Sequence, residues 1–156
     1  MRTLRSLRII MIVSTKGRYA LRMLVDLAEN GNEKFVSLTD ISERQGISKK
    51  YLEQIIPSLN GAGFLVTGRG FQGGYKLAHR PSAYTVGEIL RVTEGSLAPV
   101  ACLDSDHNTC DRARDCDTLY IWQGLMEVID NYLDKITLQD ILNRKSRRRN
   151  DDYVLL

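Results

Sequence analysis

The stretch "ISERQGISKKYLEQIIPSLN" runs from Ile41 to Asn60 and holds two short amphipathic segments around "QGIS". Gly46 can end the first segment as a helix, and Ser48 can cap the second. Apolar residues recur on the second segment at helical spacing, namely Leu52, Ile55, Ile56 and Leu59. Two short helices joined by a tight glycine-containing turn are typical of a helix-turn-helix.

The flanking sequence extends this motif into a winged helix-turn-helix, predicted over residues 11–84. Upstream, "STKGRYALRMLVDLAENG" (14–31) predicts a helix that Ser14 or Thr15 can cap. Downstream, "FLVTGRGFQGGYKLA" (64–78) predicts two short strands around a glycine-rich tip. The fold is therefore expected to be mainly α with a small β-hairpin wing. "TVGEILRVTEG" (85–95) predicts a fourth helix in a linking segment, 85–99.

Pro57 lies well inside the third predicted helix. It cannot donate the hydrogen bond to the carbonyl of Glu53, a loss that costs about 3 kcal/mol in a helix interior. We expect a kink or an early end of the helix there.

The C-terminal third predicts a long helix with an apolar stripe. Apolar residues are spaced 3, 4, 3 and 4 at Leu119, Trp122, Met126, Ile129 and Leu133. Such a stripe needs a partner, either its own domain or a second copy of the chain. We expect this long helix and a short last helix within 118–142, followed by a disordered basic tail, 143–156, that contains "RKSRRR".

Composition bounds the class of protein. The 156 residues carry a net charge of +3, and no apolar run is long enough to span a bilayer. The apolar run near the N-terminus is too short for a signal peptide, so we expect a cytoplasmic protein without membrane contact. Residues 1–10 show no pattern. No catalytic constellation is present, because the glycines of 68–74 lack the lysine and helix of a phosphate loop. An enzyme is therefore not expected, and an electron-transfer protein is a remote alternative.

The third helix and the hairpin tip offer side chains suited to double-stranded DNA: Ser48, Lys49, Lys50, Tyr51, Glu53, Gln54 and Arg69. Ser48 and the helix N-terminus can bind phosphate. Lys50 and Tyr51 can contact phosphates or thymine methyl groups. Glu53 can accept from cytosine and Gln54 can pair with adenine, while Arg69 can enter the minor groove. The alternative is a solvated helix face beside an ordinary hairpin.

All three cysteines lie in a segment without helical or strand period, 100–117. They are Cys102, Cys110 and Cys116, with seven and then five residues between them. An odd number in a cytoplasmic chain argues against a disulfide framework. A metal or cluster site, a redox pair with a spare thiol, and three ordinary small apolar residues all remain open from spacing alone.

Four stretches together resemble the IscR/CymR-type family of winged-helix transcription repressors: "STKGRYALRMLVDLA", "ISERQGISKKYLEQI", "AGFLVTGRGFQGGY" and "YTVGEILRVTEG". The resemblance runs from about Met11 to Leu142. It implies a homodimer that carries two DNA-binding lobes joined by the long helix, and a protein that senses cluster, redox or iron status.

In cluster-binding members of this family, three loop cysteines hold an iron–sulfur cluster, which implies Cys102, Cys110 and Cys116 as ligands and favours 2Fe-2S over 4Fe-4S. The fourth ligand departs from the family pattern. Leu119 stands where a histidine is expected, and Arg18 stands where some relatives supply an aspartate. His107 is the nearest imidazole and is weakly favoured; the other candidates are an external thiol, water, or a loop carboxylate, namely Asp104, Asp106, Asp111 or Asp117. In the cysteine-metabolism branch, by contrast, a partner protein or thiol oxidation regulates without a cluster.

Overall fold

The computed structural model describes residues 13–31, 34–104, 108 and 110–154. These residues form six α-helices and one two-stranded antiparallel sheet, which confirms the predicted mainly helical fold with a hairpin wing. The helices are α1 (Thr15–Asn30), α2 (Leu38–Gln45), α3 (Lys49–Gly61), α4 (Val86–Glu94), α5 (Leu119–Asp134) and α6 (Leu138–Val154), and the strands are β1 (Leu65–Gly68) and β2 (Gly74–Leu77).

Side-chain caps begin the helices where the sequence predicts them. The Ser14 hydroxyl accepts from the backbone N–H groups of Lys16 and Gly17, so Ser14 rather than Thr15 caps α1. Thr85 and Glu88 form a complete capping box at the start of α4. Each cap satisfies backbone donors that have no partner within the helix.

The core lies between α1, α2, α3, α4 and the hairpin. Fully buried aliphatic side chains from the first four helices meet there, among them Leu24, Ile41, Leu52, Leu59 and Ile89. α3 does not end at Pro57 but continues to Gly61, so of the two expected outcomes, a kink or an early end, the early end is wrong. Ile56 and Leu59 on either side of Pro57 are buried in this core, and their packing offsets the lost hydrogen bond.

Two contacts fix the hairpin to the core. Val36, just before α2, exchanges both backbone hydrogen bonds with Tyr75 of β2 and so adds a third, one-residue strand. At the other end, the buried hydroxyl of Tyr84 accepts from the His79 N–H at 2.8 Å and donates to the Phe64 carbonyl at 2.9 Å. Burial raises the pKa of Tyr84, which keeps its donor proton in place.

α6 corrects the prediction for the C-terminal region. Residues 143–154 continue the helix that begins at Leu138, where a disordered tail is expected from composition. The stretch contains neither glycine nor proline, and Lys145 forms a 2.6 Å ion pair with Glu29 of α1. Contact with a neighbouring helix stabilises what a charge run in isolation would not.

Among the described helices, none is long and apolar enough to cross a membrane. Residues 1–10 and His107, the weakly favoured fourth ligand, lie outside the described residues.

Candidate nucleic-acid interface and cysteine loop

The N-terminal half of α3 presents the predicted DNA-reading side chains to solvent. Ser48 caps the helix by accepting from the Tyr51 N–H at 3.2 Å, as expected. The other side chains of the set lie on the surface as well, with Lys49, Lys50, Glu53 and Gln54 exposed and Tyr51 half-buried. The opposite face, with Leu52 and Ile55, is buried in the core. The helix therefore holds one polar edge clear of its own domain, where a groove of DNA can accept it.

The turn between α2 and α3 is fixed by local bonds. Gly46 has φ of 61°, a left-handed conformation that favours glycine at the end of a helix. Ser42 closes the turn, because its hydroxyl donates to the Ile47 carbonyl and its own carbonyl accepts from the Ile47 N–H. The angle between the two helices is thus set by hydrogen bonds on both sides of the glycine.

A buried carboxylate ties this turn to α1. Asp26 is 1% exposed. It accepts from Nε and Nη2 of Arg44, at 3.0 and 2.7 Å, and from Gln45 Nε2 at 2.9 Å. The hydrogen bond to Asp26 raises the pKa of the Arg44 guanidinium. A buried charge needs such partners, so Asp26 holds the last two residues of α2 in place.

Two further α1 residues reach the same region. Arg22 donates to both the side chain and the backbone carbonyl of Gln45, and its guanidinium lies 5.5 Å from the Tyr19 ring centroid. Tyr19 in turn meets Tyr51 of α3 edge-to-face at 5.3 Å. We refer to the contacts of Asp26 with Arg44 and Gln45 as the Asp26 brace. The predictions of DNA-contacting residues did not include it. The sequence gives no signal for it, because Arg22 and Asn30 stand four residues before and after Asp26 and place this acid on the polar side of α1.

Arg69 is exposed at the hairpin tip. Phe64 links the hairpin to α3, because its N–H donates to the Leu59 carbonyl at 3.0 Å. The structure therefore places the hairpin and α3 on one continuous support, as the winged-helix prediction requires.

The cysteine loop follows α4, whose last residue is a cap for α1. Glu94 Oε1 accepts from the N–H and the hydroxyl of Ser14, at 3.0 and 2.8 Å, and from the Gly17 N–H at 3.1 Å. A Cβ on Gly17 would collide with this carboxylate, so the close approach requires glycine. An acid at a helix N-terminus is favourable. The end of α4, which precedes the cysteine loop, is thereby joined to α1.

The three thiols are not gathered into one site. Cys102 lies on a 3-10 turn (Ala101–Leu103) and is half-buried, whereas Cys110 is exposed. Cys116 is half-buried just before α5, and its sulfur lies 3.6 Å from the Thr118 hydroxyl. That hydrogen bond lowers the pKa of Cys116. Throughout the described part of the chain, no three His, Cys, Asp or Glu side chains come close enough to hold a metal ion. The donor chemistry suits a cluster, but this arrangement does not form its site.

α5 lies against α4 through an ion-pair clamp. Arg91 donates to Asp130 at 2.7 Å and to Asp134 at 2.8 and 2.9 Å, and these carboxylates raise the pKa of the guanidinium. A Cβ on Gly87 would collide with Asp134. Ile129 and Leu133 pack beside this clamp on a second apolar cluster around Leu90. The C-terminal part of the predicted stripe therefore folds back on its own domain.

A second apolar stripe on α5 remains exposed. Its members, spaced 4, 3 and 4, are Ile121, Leu125, Val128 and Tyr132. Val128 is 65% and Tyr132 66% exposed. A second helix could cover this exposed stripe. It lies on a different face of α5 from the stripe that periodicity predicts.

Comparison with known proteins assigns the chain to one family. The Rrf2 family, described as an iron-dependent transcriptional regulator, matches residues 13–144. The chain is 40% identical to Protein rrf2 of Nitratidesulfovibrio vulgaris over 87% of this chain and 90% of that protein. It is 37% identical to the transcriptional regulator IscR of Yersinia pseudotuberculosis, covering 90% and 88%. The solved structure of CymR, the global cysteine regulator of B. subtilis, superposes with a TM-score of 0.70 at 33% identity, covering 86% and 98%. The predicted family is confirmed.

The Asp26 brace gives a testable consequence. We expect Asp26→Asn to lower the free energy of unfolding by about 2 kcal/mol, below the loss for a fully buried pair because Arg44 is 38% exposed. The affinity for DNA should fall as well, although Asp26 does not face solvent. Denaturant unfolding at fixed protein concentration and DNA titration measure the two effects. The control is Glu43→Gln, an exposed change on α2. Equal behaviour of the two variants would show that Asp26 does not hold α2 and α3 in place.

Proposed function

The chain belongs to the Rrf2 family of transcriptional regulators, and from that premise we propose that it is a homodimeric repressor that reads DNA with α3 and the hairpin. The observation that carries the proposal is the exposed polar edge of α3, capped by Ser48 and held by Asp26 through Arg44. A helix presented in this way fits the major groove, and its N-terminal residues face the base edges.

The proposed roles follow from donor and acceptor chemistry. Lys49, Lys50 and the capped N-terminus of α3 bind phosphates and set the position of the helix. Glu53 accepts from cytosine and Gln54 pairs with adenine. Tyr51, already held by Tyr19, offers its ring edge or hydroxyl beside the backbone. Arg69 reaches the minor groove from the hairpin.

The primary test is selection of DNA by the wild-type protein. A pool of randomised duplexes, incubated with the protein and sequenced after several rounds of capture, should yield a two-fold symmetric motif with half-sites about one helical turn apart, or a multiple of it. Failure to enrich any sequence would refute the proposal.

Two variants of α3 separate positioning from reading. Lys50→Ala should weaken binding to all duplexes alike and reduce the salt slope by about 1, because one phosphate contact is lost. Glu53→Ala should instead relax base preference, since an acid beside phosphates repels every site that offers it no cytosine donor. Titrations of the selected duplex and of single-base variants, at several salt concentrations, measure both. Equal losses on all duplexes for Glu53→Ala would exclude its discriminating role.

The exposed stripe of α5 supports the dimer. A helix whose apolar positions repeat every three or four residues pairs well with a second copy of itself. We expect Val128→Glu to shift the protein to a monomer in analytical ultracentrifugation and to weaken binding to two-half-site DNA. Gln123→Glu adds the same charge at an exposed position on the opposite side of α5, and this control should remain dimeric. A dimeric Val128→Glu protein would move the interface elsewhere.

The signal is proposed to enter through the cysteine loop, since the loop joins α4 to α5 and Glu94 connects α4 to α1. Two kinds of signal are supported. Three thiols on one loop, in a relative of IscR, support an iron–sulfur cluster. The three thiols are not gathered into one site, and the chain is also similar to CymR. These two observations support a signal without a cluster, either thiol oxidation or a partner protein.

One measurement separates these signals. We expect protein purified without oxygen to show visible absorption with stoichiometric iron and sulfide if a cluster binds, and the variant with Cys102, Cys110 and Cys116 all changed to serine to be colourless. A colourless wild-type protein that cannot be reconstituted, yet binds DNA, would leave the cluster-free signal. The matched control is His79→Ala, outside the loop, which should not alter the spectrum.

A further inference from the structure

We propose that Phe71, at the tip of the hairpin, is an apolar wedge that enters the minor groove and partly unstacks one base step. The proposal rests on the DNA binding proposed above and adds a specificity-determining residue to it. The side chain of Phe71 is 106% exposed, more than any other large hydrophobic side chain in the described part of the chain. A ring held wholly in water at a projecting tip contributes nothing to the core and is free to contact a partner.

The tip is built to point Phe71 outward. The Gly73 N–H donates to the Gly70 carbonyl at 2.9 Å and closes a tight turn around Phe71 and Gln72. The inside of this turn is filled by backbone, since a Cβ on Gly73 would lie 2.6 Å from the Gly68 carbonyl oxygen. The turn therefore leaves no room for the ring to fold back inside.

The stem beneath the tip is braced. The Phe35 ring packs directly on Gly68, where an added Cβ would lie 2.7 Å from the ring. Lys76 Nζ lies 5.1 Å from the centroid of the same ring. Phe35 thus stabilises the hairpin by packing, and Phe71 does not take part in this packing. A braced stem can carry an inserted side chain against the stacking of the bases.

The chain segment that carries Phe71 suits a polyanion, although Asp40 lies beside Lys34 in the lining of the cleft next to the ring. From Gln54 to Gly87 the chain contains no acidic residue. Arg69 and Arg80 are exposed in this stretch. Cations draw the hairpin to phosphates, and an apolar side chain beside them can then enter between bases, as the apolar wedges of minor-groove proteins do. DNA is favoured over an anionic membrane because the same domain presents Lys49, Lys50, Glu53 and Gln54 as a reading edge.

A wedge also reads sequence. Pyrimidine–purine steps such as TA and CA unstack most easily, so insertion is favoured where the bound site offers one under the hairpin. Phe71 would thus select a base step without hydrogen-bonding to it, in addition to the base-edge contacts of α3.

The test uses the wild-type protein and the duplex that it enriches from the randomised pool, with 2-aminopurine placed at each position in turn. We expect fluorescence to rise on binding at one step in each half-site, which reports unstacking. Phe71→Ala should abolish that rise and weaken binding about tenfold, and Phe71→Leu should retain most of both. Gln72→Ala, the adjacent exposed residue of the turn, is the matched control and should behave as wild type.

The failures are distinguishable. If the wild-type protein enriches no duplex, the DNA-binding proposal itself is wrong. If it enriches a duplex but Phe71→Ala binds that duplex with wild-type affinity and an unchanged fluorescence profile, only the wedge is wrong. Binding of the wild-type protein, but not of Phe71→Ala, to phosphatidylserine vesicles, together with unchanged DNA binding, would assign the ring to a membrane surface and overturn the proposal.

Discussion

The buried carboxylate of Asp26 is the constraint on which the reading surface depends. A carboxylate taken out of water must keep hydrogen-bonding or cationic partners, and those partners are Arg44 and Gln45 at the end of α2. Both residues immediately precede the turn at Gly46, so the direction in which the chain enters α3 is tied to α1. Arg22 adds a second tie to the same point through the Gln45 carbonyl.

Local signals predict most of the helical part of the fold because caps and turns are decided within about four residues. Ser48, Gly46 and the pair of Thr85 and Glu88 behave as their sequence context indicates. Contacts between distant residues are different, since neither composition nor period identifies the partner. Glu94 accepts from Ser14, the cap of α1, which lies 80 residues earlier in the chain. The basic run in α6 remains helical against α1, where composition predicts a disordered tail.

The same limit applies to the candidate sites. Periodicity predicts that α5 carries apolar side chains for burial, but α5 has two adjacent stripes, and only packing decides that Ile129 and Leu133 meet its own domain. The cysteine loop has no period, so its geometry cannot be derived from spacing. The exposure of the candidate residues on α3 could be predicted because exposure of one helix edge follows from burial of the opposite edge, as at Leu52 and Ile55.

Rigid support allows the two reading elements to act together. α3 and the hairpin are joined by the bond from Phe64 to the Leu59 carbonyl, and Tyr84 holds the base of the hairpin from beneath. Their spacing is therefore fixed before DNA is met. In the proposed complex, a duplex must then satisfy base-edge contacts at Glu53 and Gln54 and also offer a deformable step under Phe71 at a set distance. Because the two requirements act on different properties of the DNA, hydrogen-bonding pattern and stacking stiffness, their discriminations multiply, and a second copy of the chain applies both again.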